Sequence, residues 1–102
     1  MAKKSKIVFD KTEIIVMDTS GSRARLHNLT FDKIVSIRFD NENVRILLAT
    51  KPTEVITITV RGEENPIKLY RNKEEEFFEG YKTGLEEFAK THRITFYNNL
   101  TS

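Results

Sequence analysis

The sequence predicts a mainly β fold: a small, bent antiparallel β structure closed by one C-terminal helix. Two patterns predict it. From Ile7 to Tyr70 apolar and polar residues alternate with period 2, interrupted by turn residues. From Asn72 to about Thr91 the period changes to 3.6. The chain of 102 residues fits one domain, and a domain of that size buries roughly two-thirds of its unfolded surface. Hydrophobic residues make up 38% and include seven Phe, enough for a single core.

Residues 1–5 read as a disordered, basic lead-in, residues 6–97 as the domain and residues 98–102 as a loose tail. Lys6–Phe9 is a short first strand, and Asp10-Lys11 a turn. Glu13–Asp18 is a second strand with Ile14 and Val16 on one face and Ile15 and Met17 on the other. A strand apolar on both faces is covered on both, or lies where a sheet folds over itself. Thr19–Ser22 is a turn. In Arg23–Leu29, Ala24 and Leu26 point one way and Arg23, Arg25 and His27 the other.

After a connection at Thr30–Lys33, Ile34–Phe39 turns Val35, Ile37 and Phe39 inward. Asp40–Asn43 reads as a polar hairpin loop, and Val44–Ala49 as a strand with Val44, Ile46 and Leu48 on one face. Lys51-Pro52-Thr53 breaks the pattern. Glu54–Val60 is the most β-prone stretch, with Ile56, Ile58 and Val60 alternating with Thr57 and Thr59. Pro66–Tyr70 is the last strand before the helix. Asn72 is the expected N-cap, with Glu75 completing a capping-box pattern. On the helix, Phe77, Phe78, Tyr81, Leu85, Phe88 and Ala89 share an arc of about 120°. Gly80 and Gly84 edge that arc, each at a cost of about 1 kcal/mol against Ala, which close approach to the sheet could offset. Ile94–Tyr97 is a short extended tail.

The chain resembles a pleckstrin-homology-like (PH-like) domain of the small stand-alone bacterial kind. The likeness rests on Ile7-Val8-Phe9-Asp10, on Glu13-Ile14-Ile15-Val16, on the run Leu29–Ile37 with its Ile-x-Ser-Ile strand, and on the closing helix with Phe77, Tyr81, Leu85 and Phe88. It spans about residues 6–97. The resemblance implies a seven-stranded bent antiparallel barrel capped by the helix. It also implies a non-catalytic domain that binds lipid, peptide or protein, or that assembles with itself. The lipid-binding branch of the family carries a Lys, a variable loop and then Arg-x-Arg. Here Lys11, Arg23 and Arg25 match that spacing and form a possible anion or lipid patch, with Lys3, Lys4 and Lys6 able to extend it. A solvated strand face and a solubilising tail are the competing readings of the same residues.

Composition narrows the remaining chemistry. Seventeen Lys and Arg stand against 15 Asp and Glu, so the net charge of +2 calls for no nucleic acid. There is no cysteine, hence neither disulfide framework nor thiolate site. His27 and His92 lack metal-ligand spacing and read as structural, and Asp40–Asn43 lacks the glycine and distal glutamate of a calcium loop. No nucleophile elbow or phosphate-binding glycine loop occurs. No cofactor and no enzymatic activity are expected. No apolar run approaches the ~20 residues of a membrane span, and a cytoplasmic location is expected. The function expected is a non-catalytic interaction module. Protein–protein association or self-assembly leads, through an edge strand exposing Thr57 and Thr59. Peripheral binding to anionic membrane lipid through Lys11, Arg23 and Arg25 is the alternative, and an enzyme or nucleic-acid binder comes last.

Overall fold

The computed structural model describes residues 5–18 and 24–100. The elements are β1 (Ile7–Phe9), β2 (Glu13–Asp18), β3 (Arg25–Thr30), a 3-10 turn (Phe31–Lys33), β4 (Ile34–Ile46), β5 (Ala49–Val60), β6 (Ile67–Tyr70), α1 (Phe78–His92) and β7 (Thr95–Asn98). Among the described residues the strands form two sheets, ordered β1-β2-β3 and β6-β5-β4-β7. The fold is therefore mainly β with one C-terminal helix, as the periodicities require. The expected lead-in and the turn at Thr19–Ser22 fall largely on residues 1–4 and 19–23, outside the described residues.

Several expectations need correction. The sheets do not close into an antiparallel barrel. The 3-10 turn at Phe31–Lys33 separates β3 from β4, and the last strand arrives from the helix to pair parallel with β4, Ser36↔Thr95 through Phe39↔Asn98. That strand is the expected extended tail. The residues after it are held as well: Asn99 donates its N–H to the Phe39 carbonyl at 2.8 Å and its side-chain amide to Asp40 at 2.7 Å, and Leu100 packs against the core.

The polar stretch Asp40–Asn43 is no hairpin loop. It continues β4 in register with Pro52–Val55, and the chain reverses at Leu47-Leu48, between the pair Ile46↔Ala49. Where both strand faces are wet, polar residues need not mark a turn, so composition misplaced the reversal. Pro52 is tolerated within β5 because no third strand pairs with that segment. In β4 the register shifts between Ile34 and Ser36. This bulge buries Ile34 alongside Ile37 and Phe39 and leaves Val35 exposed, contrary to the simple alternation.

The core lies between the sheets and under the helix. Ile7, Ile14, Val16 and Leu29 come from the first sheet. Ile34, Ile37, Phe39, Ile56, Ile58, Val60, Ile67 and Leu69 come from the second. Phe78, Tyr81, Leu85, Phe88 and Ala89 come from α1, matching the predicted arc, with Phe77 packed at its margin. The helix cap falls five residues later than expected, at Phe77 instead of Asn72. Asn72 gives its N–H to the Thr53 hydroxyl, Glu75 accepts from Arg71 instead of reaching back, and Phe77 stands at the cap position without a side-chain bond. At the other end Arg93 adopts the left-handed region (φ 55°) with its N–H on the Ala89 carbonyl, which turns the chain into β7.

A single carboxylate ties the layers together. Glu74, buried in the turn between β6 and α1, receives the Lys6 ammonium at 2.5 Å and the Tyr81 hydroxyl at 3.2 Å. The Tyr81 oxygen also accepts the Lys6 backbone N–H at 2.8 Å. Burial pushes the Tyr81 phenol above its usual pKa. Beyond it, Phe9 at the end of β1 lies against Gly84, where an added Cβ would meet the ring at 2.5 Å, whereas Gly80 faces open space. Close approach thus accounts for one helical glycine and not the other. Gly80→Ala is expected to stabilise the domain by about 0.5–1 kcal/mol, because only helix propensity changes. Gly84→Ala is expected to lose that gain by displacing Phe9; thermal melts of the two variants compare the positions directly.

Candidate functional site

Lys11 lies in the β1–β2 turn, exposed, and its carbonyl accepts the His92 Nε2–H at 2.6 Å. Arg25 begins β3 at the far end of the same sheet, since the register pairs it with Asp18 while Thr30 pairs with Glu13. The length of β2 therefore separates Lys11 from Arg25, roughly 20 Å at strand rise. The expected basic patch does not assemble from these two, and its third member, Arg23, lies outside the described residues.

The orientation of β3 is also the reverse of the one expected. His27 sits opposite Val16 and Leu29 opposite Ile14, which turns these odd-numbered residues toward the core and Leu26 outward. The His27 imidazole is mostly buried with its Nε2 3.8 Å from Asp18. His92 is structural as well: it stacks on Phe31 at 4.6 Å between ring centres and meets Phe88 at 4.5 Å, pinning the helix end to the first sheet.

Thr57 does not lie on an edge. It pairs with Arg38 on one side and Lys68 on the other, so β5 is interior there. Thr59 pairs with Ser36 and lies just beyond the end of β6. The edge strands among the described residues are β1, β3, β6 and β7. An uncharged threonine face resembles an edge in sequence, and only the pairing partners on both sides of β5 distinguish the two.

The two sheets differ in what they present outward. On the second, Arg38 pairs with Asp40 at 3.8 Å and lies over the Tyr97 ring at 4.8 Å, while Lys68 pairs with Glu42 at 3.2 Å. Paired charges dominate this face, although Val55 opposite Asp40 is buried on it and Tyr97 is 44% exposed. On the first sheet, the register places Val8 beside Ile15 and Met17 beside Leu26 on one outer face. Val8 is 57% exposed, Met17 37% and Leu26 70%, with Ile15 half-buried. These four apolar side chains form one patch across three strands. The two-faced pattern of Glu13–Asp18 was its sequence signal; what could not be read was that the second face has no covering layer.

A charge cluster lies where β5 meets the helix. Glu54 accepts from Lys82 at 2.7 Å and from Arg71; Arg71 also donates to Glu75 at 2.9 Å and Glu79 at 2.5 Å, and Lys82 reaches Glu79 at 3.0 Å. Partial burial raises the Glu54 pKa, and the bonds from Lys82 and Arg71 more than reverse this, leaving it below the usual 4.5. Hydrogen bonds from Lys82 and then Arg71 hold Glu79 low too. The charges satisfy one another, so the cluster is a cross-link between β5, the turn and α1. Besides a hollow of about 460 Å³ at this cluster, two others lie elsewhere on the described surface. One of about 380 Å³ adjoins Lys6, Lys68 and Lys73, but Lys6 is held by Glu74 and Lys68 by Glu42. The other, about 550 Å³, lies between Phe9, Gly84, Phe88 and His92.

Comparison with protein-family models, curated proteins and solved structures finds no match. Among the described residues no helix is long and apolar enough to cross a membrane.

A carboxyl with a lowered folded pKa binds fewer protons folded than unfolded. Its stabilisation is present above the unfolded value and is lost as pH falls through the folded one. The Glu54–Glu79 cluster should therefore cost the domain stability below about pH 4.5. Glu54→Gln should make the melting temperature less steep in pH over that window; an unchanged slope between pH 5 and 3, about the range that matters here, would remove the cluster as a source of acid lability.

Proposed function

We propose that this chain is a non-catalytic association module that binds protein through the outer face of its first sheet, with a second copy of itself as the partner. The observation that carries the reading is the contrast between the two outer faces. One shields its apolar Val55 and carries the pairs Arg38–Asp40 and Lys68–Glu42, and the other leaves Val8, Met17 and Leu26 in water beside Ile15. A contiguous apolar patch on a small domain marks an interaction site more often than an accident. A two-fold axis, the commonest symmetry of homo-oligomers, brings the same apolar patch of two copies together. The patch is also small. A dimer closing on it alone buries no more than roughly 1,200 Å², so association should depend on concentration.

The resemblance to small PH-like domains supports the same reading, since that family is mostly non-catalytic. The two sheets and C-terminal helix agree with it at the level of layers, while the parallel β7 departs from it. Membrane binding at Lys11 with Arg25 is disfavoured by their separation along β2.

Size-exclusion chromatography with light scattering over a wide concentration range tests the proposal. The chain should move from monomer toward dimer, and Leu26→Lys should hold it monomeric while changing stability by no more than about 0.5 kcal/mol. A wild-type chain that stays monomeric throughout would overturn self-association on this face.

A further inference from the structure

We infer that the Leu47-Leu48 tip of the β4–β5 ribbon inserts into the interface of an anionic lipid bilayer. Beyond the body of the second sheet the two strands continue alone. β6 covers β5 only over Val55–Ile58 and β7 covers β4 only over Ser36–Phe39, while the β4–β5 ladder runs on through the six pairs from Asn41↔Glu54 to Ile46↔Ala49. That overhang is about 20 Å long.

At its end Leu47 and Leu48 are 91% and 95% exposed. Leu47 also has φ 57°, a left-handed conformation that Asn or Gly adopts readily and a branched apolar side chain does not. Neither leucine packs into the core, so in water the pair contributes nothing to folding. An apolar acceptor outside the chain is what would stabilise them.

Charge identifies the acceptor. No acidic residue occurs between Asn43 and Thr53, while Arg45 and Lys51 are both exposed. The register sets Arg45 opposite Thr50 and Lys51 opposite Val44, so the two cations project from opposite faces of the ribbon. They lie roughly 7–10 Å behind the tip. The acidic residues at the base are already paired, Glu42 with Lys68 and Glu54 with Lys82 and Arg71. The ribbon therefore ends in an apolar point with a cation on each side. A bilayer surrounds an inserted ribbon and offers phosphates to both faces at once, with the leucines about 5–10 Å deep at the acyl boundary. A protein pocket would take the leucines without requiring cations on both faces.

The chain contains no tryptophan, so Leu48→Trp provides a single reporter at the tip. With vesicles of mixed phosphatidylglycerol and phosphatidylcholine at low salt, its emission should shift to the blue and be quenched by brominated acyl chains. Phosphatidylcholine alone should give little of either. Wild type should co-sediment with the anionic vesicles. Leu47→Asn with Leu48→Gly should reduce that partition by about tenfold or more. The same variant should melt near the wild-type temperature, because Asn tolerates the positive φ at position 47 and neither leucine packs into the core. Its molar mass in solution should not change, which keeps this result distinct from association through the first sheet. Wild type that ignores anionic vesicles, or a tip variant that binds them as tightly as wild type, would overturn the inference. So would loss of a protein partner by the tip variant while wild type leaves vesicles unbound.

Discussion

Glu74 is the one buried charged side chain among the described residues, and the arrangement of the layers depends on it. Burying a carboxylate costs several kcal/mol unless its charge and lone pairs are answered. Here the Lys6 ammonium answers the charge and the Tyr81 hydroxyl a lone pair, while the same hydroxyl caps the Lys6 backbone N–H. The entry to β1 is thereby joined to the turn after β6 and the first turn of α1, 68 and 75 residues further along the chain. Tyr81 sits in the middle of the helix's apolar arc, so fixing its hydroxyl also fixes which helix face meets the sheets. Phe78, Leu85, Phe88 and Ala89 then enter the core together. Apolar burial supplies most of the stabilisation; the Glu74 network decides the geometry in which it is gained.

One helix supplies one covering layer. In a domain of this size it lies across the inner faces of the sheets, and each sheet keeps an outer face that the helix does not cover. The chain treats these two faces differently. The second sheet carries Arg38, Asp40, Lys68 and Glu42 there, a surface with mutually paired charges. The first carries Val8, Ile15, Met17 and Leu26, which no element among the described residues packs into the core. The same economy leaves the distal half of the β4–β5 ladder without a third strand, and the residues chosen for its tip are leucines. Apolar side chains thus occur where the fold has no use for them, and the functional reading rests on that mismatch.

Periodicity revealed what local burial dictates. The alternation of Ile14 with Val16 and of Ile56, Ile58 and Val60 identified buried strand faces, and the 3.6-residue spacing identified the helix face residue by residue. What escaped depends on partners remote in sequence. Asp40–Asn43 looks like a turn because a ribbon wet on both faces needs no apolar alternation, and Leu47-Leu48 looks like a strand for the converse reason. The bulge at Val35 moves one residue from inside to outside without a compositional trace. Asn72 and Glu75 form a plausible cap in isolation, but Thr53 and Arg71 compete for them in the folded chain. Thr57 resembles an edge residue only until both neighbouring strands are known. The basic residues Lys11 and Arg25 have the right spacing along the chain, and a register invisible in the sequence sends them to opposite ends of one sheet.

Native-state hydrogen exchange on the monomer tests most directly the claim that one core, oriented by Glu74, unites both sheets and the helix while the ribbon stands outside it. Amides of β2, of β5 over Val55–Val60 and of α1 should exchange together through global unfolding, and those of Asn43–Thr53 should exchange much faster. In Glu74→Ala the amides of the first sheet should lose protection ahead of the second. Equal protection of the ribbon and the core strands, or a first sheet that exchanges independently of the helix in the wild-type chain, would contradict the account.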